Sequence, residues 1–188
     1  MPQRLPCYIE TERLVLRQWV EEDAAALGAA VEASAEHLRP WMAWMADEPK
    51  PPEARAEKIR QWRADWEQGG DVVLGVILDG NPIGGTGLHR RLGPDALEIG
   101  YWIHAHHTRQ GYATELSEAL TEAAFGLEGI ERVEIHHDKA NVASSGVPRR
   151  LGYTKIEEIP SPPTAPAHLG IDVIWAVTRE EWEAHGSG

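Results

Sequence analysis

Apolar and polar residues alternate with a period of two in several short stretches, which is the pattern of half-buried strands. The first stretch is TERLVLRQW (11–19), in which Leu14 and Leu16 share one face. A hairpin is predicted for VVLGVILDGNPIGGTGLHRR (72–91), with DGNP as its turn. Four further strands are predicted, which gives about seven in all: LEIGYWIH (97–104), RVEIHHDKA (132–140), YTKIEEI (153–159) and IDVIWAVT (171–178).

Helical periodicity fills the segments between these strands. The clearest case is PPEARAEKIRQWRADWEQGG (51–70), because prolines open it, large apolar residues recur at helical spacing and glycines close it. The proline-rich stretch 161–170 is predicted to be a loop, and the final segment REEWEAHGSG (179–188) is expected to fray from the sheet. About four helices are predicted, over 21–38, 51–70, 112–125 and 141–152.

The order of these elements predicts a mixed α/β, α+β-like fold in one domain over residues 1–188, with its core over about 10–178. A length of 188 residues suits one compact domain, and 42% hydrophobic residues favour a globular protein. No window approaches the roughly 18 consecutive apolar residues of a membrane span, and the N-terminus has no hydrophobic signal core. A cytoplasmic protein is therefore expected. Cys7 is the only cysteine, which excludes an internal disulfide and a cysteine-rich metal site.

The net charge of −12 argues against a broad nucleic-acid interface, which requires a basic face. It is compatible with a cationic or amine-bearing substrate. An anionic cofactor would need local backbone dipoles and one or two arginines to overcome the surrounding negative field.

The stretch HTRQGYATE (107–115) offers such a place, because it forms a polar turn before the third predicted helix. A helix start presents free amide groups and the positive end of the helix dipole to an anion. Gly111 removes the side chain that would block close approach, Ala113 keeps a second position small, and Arg109 adds a charged contact. A turn that needs only backbone freedom is the alternative interpretation. The dinucleotide fingerprint and the G-x-x-x-x-G-K-[ST] phosphate loop are absent, so nicotinamide and nucleoside triphosphate have no support.

In this context the segment resembles the signature of the GNAT superfamily of acyl-coenzyme A-dependent N-acyltransferases, Q/R-x-x-G-x-G/A between the fourth strand and the third helix. Gly111 and Ala113 match it, and Thr108 stands where the signature has Gln or Arg. Five ordered blocks over roughly 10–178 are similar to the RimJ/RimL-type subgroup: ETERLVLRQW, HLRPWMAWM, EIGYWI, GYATE and NVASSGVPRRLGY. The resemblance implies a single-domain GNAT fold, with a central, mostly antiparallel sheet that splays in the middle.

The resemblance also implies acetyl-CoA, or another acyl-CoA, as co-substrate without a metal. It implies three groups of residues that bind the co-substrate. The backbone of Tyr101, Trp102 and Ile103 would pair with pantetheine, and Asn141 and Ser144 would reach the pantetheine arm and the thioester sulfur. The pyrophosphate would be held by Arg109, Gln110, Gly111, Tyr112, Ala113 and Thr114. As residues alone, Asn141 and Ser144 are an ordinary helix cap and first-turn serine.

Acyl transfer to nitrogen requires a base for the amine and stabilisation of the leaving thiolate. Glu98 is the candidate base, because it shares a strand face with Gly100 and Trp102, where desolvation can tune a carboxylate; an exposed strand glutamate is the alternative. Many relatives place a tyrosine acid where this chain has Pro148. Ser144 is the candidate substitute, acting by a hydrogen bond to sulfur, and release of the thiolate to solvent is the alternative.

The acceptor side is expected to include Trp41, Trp44 and His136. Most of the tryptophans in this region suit core packing between helices. The nine histidines do not predict a metal site, because adjacent His136 and His137 point to opposite faces of a strand and no H-E-x-x-H motif exists.

The sequence thus predicts an N-acetyltransferase that uses direct transfer to a protein N-terminal α-amine or a small amine. Neither nucleic acid nor membrane is expected as a partner, and a homodimer is a possible assembly. A non-catalytic acyl-CoA sensor is the first alternative, since the departures at Thr108 and Pro148 suit one, whereas Glu98 argues against it. A structural protein on the same fold is the second.

Overall fold

The computed structural model describes residues 3–185, and its eight strands form one sheet. The strands lie in the order β1-β2-β3-β4-β5-β6-β8-β7. Their bounds are Tyr8–Glu10 (β1), Val15–Gln18 (β2), Val72–Leu78 (β3), Asn81–His89 (β4), Ala96–Ile103 (β5), Arg132–Asp138 (β6), Thr154–Pro160 (β7) and Ile171–Thr178 (β8).

Six α-helices and three short 3-10 segments occur among the described residues. The helices are Ala24–Ala33 (α1), Ala35–Leu38 (α2), Pro52–Glu67 (α3), Tyr112–Phe125 (α4), Val142–Arg150 (α5) and Arg179–His185 (α6). The 3-10 segments are Glu21–Asp23, Ala43–Asp47 and Ala105–His107. No helix within residues 3–185 has the length and apolar character of a membrane span.

The sheet opens between β5 and β6, which are its only parallel neighbours in the described chain. Ala96–Glu98 of β5 pair with Arg132–Glu134 of β6, and the recorded pairing stops there although both strands continue. On their outer edges β5 stays paired with β4 up to Ile103, and β6 stays paired with β8 up to Asp138. The predicted splay of a mostly antiparallel sheet is therefore confirmed, and Glu98 lies where it begins.

Helices cover both faces of the sheet and give two apolar cores. The larger core lies under α4 and α5, and α4 contributes the fully buried Leu116 and Leu120 on its apolar stripe. The smaller core lies under α1 and α3 and contains Trp19, Leu27 and Ile59. Because strand side chains alternate between faces, successive residues of β5 and β6 point into these two different environments.

The predicted first strand is wrong in one respect, since residues 11–19 do not form one element. Residues 11–14 make a turn between β1 and β2, in which the Thr11 amide donates to the Leu14 carbonyl at 2.9 Å. The strand before this turn, β1, is not among the predicted strands, and it brings their number from about seven to eight. The predicted helix 21–38 is likewise divided, because Ser34 separates α1 from α2 and its hydroxyl accepts a hydrogen bond from the Ala105 amide at 3.1 Å.

The expectation that the C-terminal segment frays is wrong for residues 179–185, which form α6. Glu181 accepts hydrogen bonds from the amide and hydroxyl of Thr178 at the start of this helix. The Arg179 guanidinium donates to the carbonyls of Phe125, Leu127 and Ile130. These contacts attach α6 to the end of α4. Together, α2 and α6 bring the number of helices from the predicted four or so to six.

Candidate active site at the opening of the sheet

The turn before α4 has the backbone shape that the anion-site hypothesis requires. Gly111 caps α4 with φ +86°, a left-handed conformation that glycine adopts without strain, and Arg109 also has a positive φ of +59°. The first amides of a helix have no intrahelical partner, so those of α4 are oriented outward toward an approaching anion. Gly111, Arg109 and Gln110 are exposed, so this turn is accessible from solvent.

Arg13 and Glu115 fasten this turn to the start of the sheet, and sequence reasoning missed both. The Glu115 carboxylate accepts from Thr11 Oγ1 at 2.5 Å, from the Arg13 amide at 2.8 Å and from Arg13 Nε at 2.6 Å. Arg13 also donates to the Gln110 carbonyl at 3.0 Å and stacks on the Tyr112 ring at 4.5 Å. Partial burial raises the pKa of Glu115, but the hydrogen bonds from Thr11 and Arg13 outweigh it and lower the pKa below its usual value.

Glu115→Gln should therefore lower the free energy of unfolding by about 1.5–3 kcal/mol at pH 7, the range for hydrogen bonds to a charged group. A carboxyl whose pKa is depressed by folding stabilises the fold above its unfolded pKa, about 4.3 for glutamate. That contribution disappears as the pH falls through the lower folded pKa. Urea denaturation should thus show a gap from wild type at pH 7 that narrows below about pH 4. Glu118→Gln, on the exposed side of the same helix, is the control and should show no such gap. A gap independent of pH would contradict the charged clamp.

Tyr101 projects from β5 toward α5 and meets Ser144 there. Its hydroxyl lies 3.0 Å from Ser144 Oγ, and burial raises the pKa of Tyr101 to about 12 despite the opposing hydrogen bond from Ser144. Tyr101 therefore remains protonated and can donate to Ser144 Oγ, which leaves the serine hydrogen free to point elsewhere. No local sequence pattern predicts this pair, because the contact depends on how β5 and α5 meet in space.

Asn141 caps α5 as expected from its residue type, and its side-chain oxygen accepts from the Ser144 amide at 3.3 Å. Pro148 is buried one turn after Ser144 and carries no hydroxyl. The hydroxyl of Tyr153, which follows α5, is bonded to Thr121 Oγ1 at 2.7 Å within the larger core. Ser144, with its partner Tyr101, is the hydroxyl that α5 presents beside the opening.

Glu98 lies on the other face of β5, within a group of charged side chains. Its carboxylate is 3.2 Å from Arg91 Nε and 3.9 Å from His136 Nδ1, and its side chain is 13% exposed. His136 Nε2 is in turn 2.5 Å from the Glu134 carboxylate. Burial lowers the pKa of His136, but the carboxylates of Glu134 and Glu98 outweigh it and raise the pKa. The structure thus brings the Glu98 carboxylate and the His136 imidazole, both named as candidates from the sequence, within 3.9 Å of each other.

His89 and Asp71 form a second polar pair beside Glu98 that sequence reasoning did not find. His89 Nδ1 lies 2.7 Å from Asp71 Oδ2, and Asp71 Oδ1 accepts from the Arg90 amide at 2.7 Å. His89 and Glu98 are directly opposite each other in the register of β4 and β5. The imidazole therefore shares the face of the sheet that carries Glu98.

Trp102 and Trp44 border this face. Trp102 lies over Gly85, where a side chain would collide with the indole, and Trp44 packs against Trp102 with ring centroids 6.1 Å apart. Trp41 instead contacts the proline-rich loop, because its carbonyl accepts from His168 Nε2 at 3.0 Å. Within residues 3–185, no hydrogen bond or ring contact links the Trp41 side chain to Glu98, so its role in acceptor binding stays a prediction.

The histidines of β6 separate as strand geometry requires. His136 faces Glu98, whereas His137 Nε2 accepts from the Trp175 indole at 3.0 Å on the opposite face. Within the described part of the chain, no three His, Cys, Asp or Glu side chains come together in a way that could hold a metal ion.

Known proteins share both the sequence pattern and this architecture. The acetyltransferase (GNAT) domain family matches residues 13–154. A putative ribosomal N-acetyltransferase, YdaF of Bacillus subtilis (strain 168), is 28% identical over 145 residues, which cover 76% of this chain and 78% of the relative.

Two solved structures establish the likeness in fold. RimL, a ribosomal L7/L12 α-N-protein acetyltransferase in complex with coenzyme A, gives a TM-score of 0.81 at 19% identity, over 94% of this chain and 98% of the other. The microcin C7 self-immunity acetyltransferase MccE, in complex with acetyl-CoA and AMP, gives a TM-score of 0.81 at 17% identity, over 89% of this chain and 93% of the other. These two likenesses show the fold, and the ribosomal N-acetyltransferase relative of Bacillus subtilis supports the expected RimJ/RimL-type subgroup.

Proposed function

Because the chain belongs to the acetyltransferase (GNAT) family, we propose that it transfers acetyl directly from acetyl-CoA to the α-amine of a protein. The observation that carries the proposal is the sheet opening between β5 and β6, with the α4 turn beside it and Glu98 where it begins. Structural neighbours bind acetyl-CoA or coenzyme A, which supports an acyl-CoA co-substrate. We take residues 1–188 to be a single acyltransferase domain.

The residues at the opening fit this co-substrate. The turn Arg109–Thr114 would hold the pyrophosphate, because Gly111 leaves its amides uncovered and Arg109 adds positive charge. Beyond Glu98, the edge of β5 that faces β6 has no recorded strand partner in the described chain, so the backbone of Tyr101–Ile103 is available to pantetheine there. When bound, acetyl-CoA would supply an acetyl group on a thioester.

Glu98 serves as the base that removes a proton from the attacking ammonium. Its carboxylate lies on the face bordered by Trp102 and Trp44, where an acceptor would approach, and it begins the opening where the thioester would be held. Arg91 and His136 hold it in place by charge. Proton removal by a positioned carboxylate is worth on the order of a hundredfold or more in rate.

Ser144 donates a hydrogen bond to the sulfur as negative charge develops on it. Tyr101 supports this role, because a hydrogen bond from its hydroxyl to Ser144 Oγ leaves the serine hydrogen available. The pair takes over the task that Pro148 cannot perform.

Ser144→Ala should lower kcat about tenfold to a hundredfold while leaving acetyl-CoA binding nearly unchanged, because the hydroxyl matters most when charge develops on sulfur. The measurement is single-turnover release of free thiol, alongside calorimetric titration with acetyl-CoA. Ser145→Ala is the matched control, since the neighbouring hydroxyl bonds to the Val142 carbonyl within α5. Equal rates for the Ser144 and Ser145 variants would show that the thiolate leaves without this hydroxyl.

The acceptor is proposed to be an N-terminal α-amine. The relatives named as ribosomal-protein N-acetyltransferases support a protein acceptor, and a net charge of −12 favours the approach of a cationic polypeptide. A non-catalytic acyl-CoA sensor is the second candidate, favoured by Thr108 at the first signature position and by Pro148 in α5.

A thiol-release screen separates these candidates. Peptides that begin with serine or alanine are mixed with acetyl-CoA and the protein, beside the same peptides with a blocked α-amine and beside small amines. We expect thiol release with the free peptides and none above background with the blocked ones. Calorimetric binding of acetyl-CoA without release for any amine would favour the sensor. Release only with small amines would contradict the protein acceptor.

Several expectations from the sequence stay predictions. They are a cytoplasmic location, the absence of a resident metal and of nucleic-acid partners, a homodimer, and the contribution of Trp41 to acceptor binding.

A further inference from the structure

The Asp71–His89 pair lies on the same face of the sheet as Glu98, which is directly opposite His89 in the strand register. It has no role in the chemistry described so far. His89 is the last residue of β4, and Asp71 directly precedes β3. Because β3 and β4 are neighbours in the sheet, the Asp71 carboxylate lies against the His89 imidazole. The His89 side chain is 19% exposed and that of Asp71 38%. This pair is therefore sheltered without being sealed from a substrate.

Two glycines leave room for the imidazole on the sheet. Gly87 and Gly100 are paired across β4 and β5, and a methyl group on either one would lie 3.3 Å from His89 Nε2. The ring thus lies over bare backbone at Gly100, two residues beyond Glu98 on the strand that borders the opening. Nε2 thus lies above these paired glycines of β4 and β5, on the face of the sheet that carries Glu98 and next to the stretch of β5 where the thioester is proposed to lie.

Asp71 sets the chemical state of this nitrogen. Burial raises the pKa of Asp71, but hydrogen bonds from the Arg90 amide and His89 outweigh it and lower the pKa, so the carboxylate stays ionised. An ionised carboxylate at 2.7 Å from Nδ1 fixes the neutral ring with its proton on Nδ1. In this tautomer Nε2 carries no proton and can accept one.

The reaction requires a second proton acceptor. An ammonium group loses two protons on the way to an amide, one before nitrogen attacks and one after the N–C bond has formed. Glu98 can take the first, and it cannot take the second until it has released that proton. Building on the proposed function, we infer that His89, oriented by Asp71, accepts the second proton from the acceptor nitrogen.

In this sequence of steps the first proton passes from the ammonium to the Glu98 carboxylate. The nitrogen lone pair then forms the N–C bond, the C–S bond breaks, and its electron pair leaves with sulfur, which takes a proton from solvent. The second N–H proton passes to His89 Nε2. Glu98 and His89 afterwards return their protons to water. His89 is thus a catalytic residue, and Asp71 is a positioning residue that acts through it.

The test compares His89→Asn, Asp71→Asn and the double variant in steady-state acetylation of a peptide that begins with serine. His89→Asn should lower kcat at least a hundredfold, and Asp71→Asn about tenfold or more. The double variant should be no slower than His89→Asn alone, because both changes disable one unit. The dissociation constant for acetyl-CoA should be unchanged in all three. Asp79→Asn, in the exposed β3–β4 turn, is the matched control and should keep wild-type rates.

A second readout needs no turnover. Nitrogen-15 NMR of the wild-type imidazole should show the neutral His89 ring protonated at Nδ1, and Asp71→Asn should shift the ring toward the Nε2-protonated form. A kcat for His89→Asn within twofold of wild type would overturn the inference, and so would additive losses in the double variant or an Nε2-protonated wild-type ring. Each of these results leaves the proposed function intact. A wild-type protein that binds acetyl-CoA and acetylates no amine would overturn the proposed function, and this inference with it.

Discussion

Glu98→Gln should reduce turnover on the order of a hundredfold or more at neutral pH while acetyl-CoA binding stays intact. Glutamine keeps the shape and hydrogen bonding of the side chain and removes only its basicity. A protein α-amine has a pKa of about 7.7–8.0, so at pH 7 most of it is protonated and cannot attack. Without a carboxylate to take that proton, the reaction depends on the small fraction of free amine.

The pH profile makes this prediction specific. Turnover of Glu98→Gln should recover in part above about pH 8, where free amine accumulates, while wild type gains less over the same range. Glu122→Gln, on the exposed face of α4, is the matched control and should follow wild type. Near-normal activity with an unchanged profile would show that Glu98 is not the base, and His136, 3.9 Å away, would be the next residue to test.

Gly111→Glu should abolish detectable acetyl-CoA binding, because it places bulk and negative charge where the pyrophosphate is proposed to lie. The position has φ +86°, and a Cβ there would lie 3.2 Å from Arg13 Nη2. Any side chain at this position is therefore strained, so Gly111→Ala is needed as the matched variant. It carries the same strain and contact without the charge.

Calorimetric titration with acetyl-CoA compares the two variants, with circular dichroism to confirm that both fold. The alanine variant should bind more weakly than wild type, and the glutamate variant should show no measurable binding. Unchanged affinity in Gly111→Glu would refute the assignment of this turn to the cofactor.

The sheet and its opening could be predicted because they depend on local patterns. Alternation identified the strands of the sheet, and the resemblance around Gly111 and Ala113 implied where two of them separate. The turn at 11–14 could not be predicted in this way, since Leu14 and Leu16 continue the alternation through it. Its side-chain bond to Glu115 joins residues 104 positions apart, which no local pattern reveals.

Some residues of the candidate site could likewise be proposed from the sequence. Glu98 and His136 could be proposed because each lies on a predicted strand with a known side-chain alternation. Asp71 directly precedes β3 and His89 ends β4, so their contact depends on the register between these two strands. The sequence predicts a role for the backbone of Tyr101 only. The contact of its hydroxyl with Ser144 depends on the position of α5 relative to β5, which no local pattern specifies. Residue contacts between elements were thus the part that the sequence could not provide.

The most direct test of acetyl transfer at this opening is to identify the product by mass spectrometry. A peptide that begins with serine is incubated with acetyl-CoA and either wild-type protein or Glu98→Gln, and free thiol is measured in the same samples. The account predicts one acetyl group on the α-nitrogen for each thiol released by wild type, and little of either from the variant. Thiol release without acetylated peptide, or equal yields from the two proteins, would contradict it.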